Sequence, residues 1–237
     1  LVTLGSFNDD GDLDYQPKKR IKIPFNMPSF LLNRITIKIF NLLYHFRARN
    51  NIVNKVVSID SFFYPLDSVR NWNRVYGKNG FIQYQFVLPK KTSFKGLEEI
   101  LTLISNSSLV PPLAVLKLFG PGNKNYLSFP IEGYTLAVDF KIEKKLFNFL
   151  DVLDKIVVKN GGRIYLAKDA RVNKKVFEYG YPKIEKFRAL RKKYHSDKKF
   201  NSLTSNKELS TQLTTILKEI KKTEKHPRLR KMMGLKY

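Results

Sequence analysis

The sequence predicts an α+β fold in which an antiparallel sheet carries helices on one face. Between residues 81 and 166, runs with the two-residue alternation of strands are interleaved with runs that have the period of a helix. Clusters of Gly and Pro separate these runs. The resulting order, β-α-β-β-α-β, is that of a split βαβ sandwich.

Each element of this order has its own signal in the sequence. Thr92-Ser93 is typical of a helix start, Gly120-Pro121-Gly122 of the turn after a strand, and Asn160-Gly161 of a helix end. The predicted elements are a strand over 81–88, a helix over 92–105, strands over 113–119 and 134–140, a helix over 144–159 and a strand over 163–166.

The segments that flank this core have weaker patterns. Residues 5–28 are loop-like, and apolar residues at spacings of three and four predict an amphipathic packing helix from Pro28 onward. After Gly180 the sequence predicts short helical pieces and then a basic helix over about 207–225. The apolar positions of the first helix are Leu31, Ile35, Ile39, Leu42, Leu43 and Phe46.

Composition excludes several classes of protein. The 237 residues contain no Cys, which excludes a disulfide framework, thiolate metal ligands and a Cys nucleophile. The three His residues are far apart. The acidic run Asp9–Asp14 is followed by Tyr15 and Ile21 where a calcium loop that starts at Asp10 needs Gly and Glu, so no metal site is predicted. The sequence has no apolar run long enough to span a membrane, and we recognise no signal peptide in it.

The charge is strongly basic and is concentrated near the end of the sequence. Lys and Arg total 44 against 20 Asp and Glu, a formal charge of +24, and residues 183–237 carry 17 basic and 5 acidic residues. Such a tail either is simply solvated or attracts an anionic membrane surface or a nucleic acid. Within residues 207–225 the apolar stripe Leu209, Leu213, Ile216, Leu217 and Ile220 fits an interfacial helix on anionic lipid or a helix packed on the rest of the protein.

The two faces of the predicted sheet differ in chemistry. One face is apolar and suits a helix layer, with Ile82, Tyr84, Phe86, Leu116 and Val138 among its members. The other face brings together the polar residues Gln83, Gln85, Lys117, Thr135 and Asp139. A half-solvated sheet face would show such alternation too, but a single Lys on an apolar strand favours a pocket for an anionic or hydroxylated ligand.

An RNA-recognition-like binding module is the alternative from another functional class. Its strand order is the same, and the aromatic-rich run Gly80–Val87 echoes the RNA-binding strand motif. That motif belongs on the third strand of such a module, whereas here it lies on the first. We therefore expect no specific nucleic-acid partner.

Seven blocks of sequence occur in an order that is specific to one family. The blocks are FYPLD at 63–67, WNRVYG at 72–77, GFIQYQFVLP at 80–89, KLFGP at 117–121, LSFP at 127–130, VDF at 138–140 and GGRIYLAKD at 161–169. They resemble FAD-linked sugar oxidases of the vanillyl-alcohol-oxidase type. The resemblance is greatest to the bacterial members that act on ribose linked to decaprenyl phosphate, and it covers residues 20–209.

The resemblance implies a domain division and an activity. Residues 1–162 would form the substrate-binding domain, 163–209 would complete the FAD-binding domain, and 210–237 would be a basic tail, with the rest of the flavin domain outside this chain. The reaction would be hydride transfer from a sugar carbinol carbon to flavin N5, giving a keto sugar on a polyprenyl-phosphate carrier. A sugar-lactone oxidase of the D-arabinono-1,4-lactone type is the alternative within this class.

The resemblance also implies the setting of the enzyme. It would lie in the cytoplasm or on the bacterial inner membrane as a peripheral protein, and it would work with a partner reductase or epimerase. Its substrate would be a polyprenyl-phosphate sugar or, in the alternative, a small sugar lactone.

Finally, the resemblance implies which residues form the site. Tyr165 and Lys168 would contact the flavin, and Lys168 would stabilise the anionic reduced ring, which makes it a catalytic candidate. The sugar pocket would be lined by Gln83, Gln85, Lys117, Thr135 and Tyr64, with Lys117 also a catalytic candidate. Two positions depart from the family: Ala137 replaces a Cys, and Phe63 replaces a Tyr, although Tyr64 follows directly.

Overall fold

The computed structural model describes residues 5–7, 21–47, 56–168 and 171–199. The chain divides into two compact units. Unit 1 comprises residues 1–81, 108–112 and 141–143, and unit 2 comprises residues 82–107, 113–140 and 144–237. The predicted basic helix over 207–225 and the acidic run Asp9–Asp14 lie outside the described residues.

Unit 1 is built from short elements around a small aromatic cluster. Strands β1 (Ile21–Lys22) and β2 (Val69–Arg70) pair in parallel. The helices are α1 (Arg34–Arg47) and α2 (Ile59–Phe63), with 3-10 turns over Ser29–Leu31, Pro65–Ser68 and Trp72–Tyr76. The Tyr76 ring stacks on Phe81 with centroids 4.4 Å apart, and the Arg74 guanidinium donates to the carbonyl of Ile23 at 3.0 Å.

Helix α1 differs from its prediction in two respects. It begins at Arg34 rather than at Pro28, because the Asn33 side chain accepts hydrogen bonds from the N–H groups of Ile35 and Thr36 and so caps the helix start. The helix was also predicted to pack its apolar side against the protein, and this is wrong for the described residues: Ile35 is 70% exposed and Leu43 64%.

Unit 2 contains the predicted β-α-β-β-α-β core. Its elements are β3 (Phe81–Pro89), α3 (Lys90–Asn106), β4 (Leu113–Phe119), β5 (Gly133–Lys141), α4 (Leu146–Lys159) and β6 (Arg163–Ile164). The strands form one antiparallel sheet in the order β4-β5-β3-β6. The predicted α+β class is therefore confirmed, and so is the order of the elements.

The start of α3 was predicted two residues late. The helix begins at Lys90, directly after Pro89, and neither predicted capping hydroxyl caps it. Thr92 instead donates to the Asn160 carbonyl at 2.7 Å, and Ser93 donates to the carbonyl of Lys90 at 2.9 Å. These hydroxyls satisfy backbone acceptors near the two helices.

The hydrophobic core of unit 2 lies between the sheet and helices α3 and α4. Phe86, Leu88 and Val138 from the sheet are at most 1% exposed, as are Leu150 and Leu153 from α4. The helices therefore cover the predicted apolar face. They do not cover all of it, because Leu116 and Leu118 on edge strand β4 share this face but remain 54% and 59% exposed.

Residues after the sheet add a buried polar network to the helix side of unit 2. Arg171, 6% exposed, makes an ion pair of 2.7 Å with Asp154, and the Tyr84 hydroxyl donates to the same carboxylate at 2.8 Å. Tyr181 donates to the Ile164 carbonyl at 2.7 Å. The remaining helices are α5 (Lys174–Gly180), α6 (Ile184–Lys193) and α7 (Ser196–Lys199). The division of the chain at residue 162 stays a prediction.

Candidate functional site

The polar face of the sheet brings three predicted site residues from three neighbouring strands together. Lys117 on β4 lies directly opposite Thr135 on β5 in the register of the two strands. From β3, the Gln85 amide donates to the Thr135 hydroxyl at 3.2 Å. Residues that face each other in this way have Cβ atoms roughly 4.5–5.5 Å apart. The sequence prediction that these side chains share a face is confirmed.

Thr135 is the inner member of this row. Its side chain is buried, with the residue only 1% exposed, and its hydroxyl both accepts from Gln85 and donates to the Phe86 carbonyl at 2.8 Å. The one proton of the hydroxyl and one of its two lone pairs are therefore used within the protein. Because the Gln85 amide nitrogen points toward Thr135, its carbonyl oxygen is turned away from it.

A second amide is held in the same manner further along the sheet. The Gln83 amide donates to an Asp139 carboxylate oxygen at 2.8 Å, and Asp139 is 1% exposed. Sequence reasoning placed Asp139 on this face but did not include it among the site residues. The signal was its position on a strand of otherwise apolar residues, since a buried carboxylate requires a hydrogen-bonding partner.

Lys117 is the exposed member of the polar face. It lies on edge strand β4, and among the described residues its ammonium has neither an ion pair nor a hydrogen bond. A single Lys on an apolar strand suggests a carboxylate partner, but the described part of the chain provides none for Lys117. Its three N–H donors are available to a ligand.

Tyr165 and Lys168 lie in one turn at the end of β6. The Tyr165 N–H donates to the Gln85 carbonyl at 2.8 Å, which attaches this turn to β3. The Lys168 N–H donates to the Tyr165 carbonyl at 3.1 Å, and the Lys168 side chain is exposed. This turn also explains why β6 ends at Ile164 rather than at the predicted Leu166.

The loop between β4 and β5 covers part of the polar face. Its residue Phe129 is buried and stacks on Tyr165 with ring centroids 4.3 Å apart and an angle of 26° between the planes. Phe129 also meets Phe119 edge to face at 5.9 Å. Sequence reasoning quoted the block that contains Phe129 but gave this ring no role.

Arg163 anchors the same loop from β6. Its guanidinium donates to the Ser128 carbonyl at 2.9 Å and lies 5.4 Å from the centre of the Tyr181 ring. Burial lowers the pKa of Arg163. A cavity of about 130 Å³ lies here, lined by Ser128 and Arg163 but by none of the predicted sugar-binding residues. The sugar pocket lined by Gln83, Gln85, Lys117 and Thr135 stays a prediction.

Tyr64 belongs to unit 1 rather than to the sheet. It follows the end of α2, its N–H donates to the Asp60 carbonyl at 2.9 Å, and its side chain is 55% exposed. Its ring lies 6.3 Å from that of Phe63. The role of Tyr64 in substrate binding stays a prediction.

The described residues contain neither a metal-binding cluster nor a membrane-spanning helix. The described ranges hold no group of three or more His, Asp or Glu side chains arranged to bind a metal ion. In the same ranges, every helix is too short or too polar to cross a bilayer.

Comparison with known proteins found four relatives, among them the two that follow. The chain is 33% identical over 96 residues to a protein described as "Uncharacterized protein in mprA 5'region" from Streptomyces coelicolor, covering 40% of this chain and 26% of that protein. No family model matches the chain.

The other relative agrees with the resemblance seen in the sequence. It is the decaprenylphosphoryl-beta-D-ribose oxidase of Mycolicibacterium smegmatis, and the match covers 80% of this chain. The chain spans 41% of the length of that protein. Over 190 residues, at 37% identity, this chain is thus similar to a decaprenylphosphoryl-β-D-ribose oxidase, which confirms the resemblance to sugar oxidases of that kind.

Proposed function

We propose that this chain forms the substrate-binding part of an FAD-dependent oxidoreductase that oxidises a ribose carbinol on a polyprenyl-phosphate carrier. The observation that carries this proposal is the 37% identity over 190 residues to the oxidase from M. smegmatis. The flavin-binding part would lie outside these 237 residues, since the chain spans 41% of that relative.

The polar face offers the groups that recognise a sugar. Vicinal hydroxyls require both acceptors and donors, and the amides of Gln83 and Gln85 and the Lys117 ammonium supply both kinds of group on one face of the sheet. Both amides are held by buried partners, Asp139 and Thr135, so that little side-chain entropy is lost when a ligand binds. Thr135 would therefore act by positioning Gln85.

Lys117 is the catalytic candidate on this face. An ammonium that donates to the carbinol oxygen orients the hydroxyl and stabilises the negative charge that develops on that oxygen as its proton leaves. Because Lys117 has no competing partner among the described residues, it can make this bond to the substrate.

The residues that the resemblance assigns to FAD fit such a group. The exposed Lys168 ammonium is free to stabilise an anionic ring, and the turn that carries it is fixed to β3 through Tyr165. Phe129 covers the Tyr165 ring and restricts its rotamers. FAD, when bound, supplies the oxidation by accepting a hydride from the carbinol carbon.

A hybrid enzyme tests the proposal. This chain would be joined to the part of the M. smegmatis oxidase that lies outside the matched region, and turnover of polyprenylphosphoryl ribose would be measured with an artificial electron acceptor. D-arabinono-1,4-lactone serves as the competing substrate. We expect turnover of the ribose alone, whereas turnover of the lactone alone would support the alternative substrate class.

The RNA-binding alternative finds little support on the polar face. On β5, where such a module places stacking aromatics, this face carries Thr135, Ala137 and Asp139, and two of these three are buried. A shallow aromatic platform is thus missing from the described central strand.

A further inference from the structure

Helix α1 exposes apolar side chains that a water-soluble surface does not normally present. Every residue from Lys38 to Phe46 is exposed. The large apolar side chains of α1 are Ile35 at 70%, Ile39 at 51%, Phe40 at 65%, Leu42 at 52%, Leu43 at 64%, Tyr44 at 55% and Phe46 at 49% exposed. Monomeric proteins rarely display such a continuous apolar surface unless it binds something.

The apolar and polar residues of α1 occupy different sides. Ile35, Ile39, Leu42, Leu43 and Phe46 follow one another at spacings of three and four and so form one stripe. Arg34, Lys38, Asn41 and His45 repeat in the same manner on another side. The helix is thus amphipathic, but no described part of the chain buries its apolar stripe.

The charge of α1 has one sign only. The sequence of the helix contains Arg34, Lys38 and Arg47 and neither Asp nor Glu. A partner that covers the stripe must therefore be apolar where it meets Ile39 and Leu43, and negatively charged around that contact. Anionic lipid has both properties, because its acyl chains lie directly beneath charged headgroups.

The dimensions of α1 fit a position in the plane of a bilayer. Fourteen residues at about 1.5 Å per residue extend for roughly 21 Å, which is less than the roughly 30 Å of the hydrocarbon layer. The Phe40 and Tyr44 rings, stacked 6.3 Å apart, are also exposed but lie on a further side of the helix, about 100° around its axis from Ile39 and Leu43. A helix of this length is marginal in water by itself, so that insertion would also stabilise it.

We propose that α1 is an interfacial helix that docks this protein on an anionic membrane surface. The stripe from Ile35 to Phe46 enters the boundary between headgroups and acyl chains, and Arg34 and Lys38 contact the lipid phosphates. This assignment goes beyond the proposed oxidase activity and does not depend on it. The helix α1 is also distinct from the predicted basic helix over 207–225, whose sequence has its own apolar stripe.

Vesicle sedimentation with the whole 237-residue chain tests this assignment. The probes are vesicles of phosphatidylglycerol mixed with phosphatidylcholine, and vesicles of phosphatidylcholine alone. The test variant is Ile39→Ala with Leu43→Ala, which keeps helix propensity high. The matched control is Phe94→Ala with Leu101→Ala on α3, where Phe94 is 81% and Leu101 46% exposed. A third form lacks residues 207–237.

We expect the intact chain to bind the anionic vesicles, with weaker binding as salt is added. The Ile39 and Leu43 double variant should lose at least tenfold in partition coefficient, while the Phe94 and Leu101 control changes less than twofold. Circular dichroism of each variant would show that it is folded. The form without residues 207–237 should still bind and remain sensitive to the Ile39 and Leu43 changes.

Three results would overturn the assignment. One is equal sedimentation of the test variant and the α3 control. Another is loss of binding on deletion of residues 207–237 with full binding by the α1 variant, which would place the anchor in the tail. The third is absence of binding to anionic vesicles, as expected if α1 docks on another protein. None of these results bears on whether the hybrid enzyme oxidises ribose.

Discussion

The alternation of side chains along a strand predicts which face of the sheet Thr135 lies on, but not what its hydroxyl binds. Its position on β5 predicts that it shares a face with Gln85 and Lys117, and the hydrogen bond from Gln85 and the register opposite Lys117 agree with that. Alternation does not reveal that the Thr135 hydroxyl donates its proton to the Phe86 carbonyl, because that bond depends on how β3 and β5 approach each other. The structure was therefore needed to separate Gln85, which would contact the substrate, from Thr135, which would position Gln85.

The Lys117 side chain is where we expect a substitution to affect catalysis most. In the assembled enzyme, Lys117→Met should lower kcat/KM for polyprenylphosphoryl ribose at least tenfold, about 1.4 kcal/mol, because a donor to the carbinol oxygen is lost. Flavin content should not change. Steady-state kinetics and the visible flavin spectrum provide the two measurements.

The matched control for Lys117 is Lys95→Met. Lys95 is an exposed lysine on α3, and removing its charge alters the net charge of the chain equally. Should both variants retain wild-type kcat/KM, Lys117 has no role in turnover.

Arg171 is expected to matter for stability. It is 6% exposed and bridges Asp151 and Asp154 at 2.8 and 2.7 Å, so that Arg171→Met leaves the buried Asp154 charge without its cation. Breaking a buried ion pair costs roughly 3–5 kcal/mol. Urea denaturation of the whole chain, followed by circular dichroism, should show a loss of that order in the free energy of unfolding.

Arg188→Met is the control for Arg171. Arg188 pairs with Glu178 at 2.8 Å near the surface, and this hydrogen bond raises the pKa of Arg188. Exposed pairs contribute about 0–1 kcal/mol, so this variant should unfold nearly as the parent does. Equal losses in the two variants would show that the Arg171 network is no more stabilising than a surface pair.

Among the elements, those with long, strict periodicity were predicted well. Every end of the four core strands and the two core helices lies within two residues of its prediction. The ends that differ depend on local hydrogen bonds: the Asn33 side chain starts α1 late, and the backbone bonds of the Tyr165 turn end β6 early. A hydrophobic pattern carries no information about such bonds.

The packing of elements was less predictable than their existence. The stripe on α1 predicts a buried face, yet periodicity cannot tell whether the covering partner belongs to the same chain. The Arg171–Asp154 and Gln83–Asp139 pairs join residues 17 and 56 positions apart, and only the assembled sheet and helices bring them together.

The junction between β5 and β3 depends on a close backbone approach at Gly133. A Cβ at this position would lie 1.9 Å from the Leu88 carbonyl oxygen, so Gly133→Ala forces the two strands apart. We expect a loss of about 1–3 kcal/mol in the free energy of unfolding, as for other overpacked sites. Thermal or urea denaturation would measure it.

Gly120, at the start of the loop between β4 and β5, is the comparison for Gly133. A Cβ added at Gly120 meets no atom within 4 Å, so Gly120→Ala should change stability by less than about 0.5 kcal/mol. If Gly133→Ala is as mild as Gly120→Ala, the close approach is not a constraint on the sheet.

For the molecule as a whole, the proposal predicts that this chain by itself does not retain FAD. Tyr165 and Lys168 would supply a small part of the flavin contacts, and the remainder would come from the part that this chain does not contain. Purification of the 237-residue chain followed by gel filtration should give protein without the yellow flavin absorbance. Stoichiometric flavin in the protein peak would contradict this, and the hybrid enzyme serves as the positive control.

We propose that the polar face of this sheet presents a polyprenylphosphoryl ribose to a flavin. The most direct measurement is anaerobic mixing of that substrate with the flavin-loaded hybrid enzyme while the visible flavin absorbance is followed. We predict that the ribose substrate bleaches the flavin and that Lys117→Met slows the bleaching at least tenfold, about 1.4 kcal/mol in the activation free energy. A flavin that stays oxidised with the ribose substrate but is bleached by a sugar lactone would contradict the account.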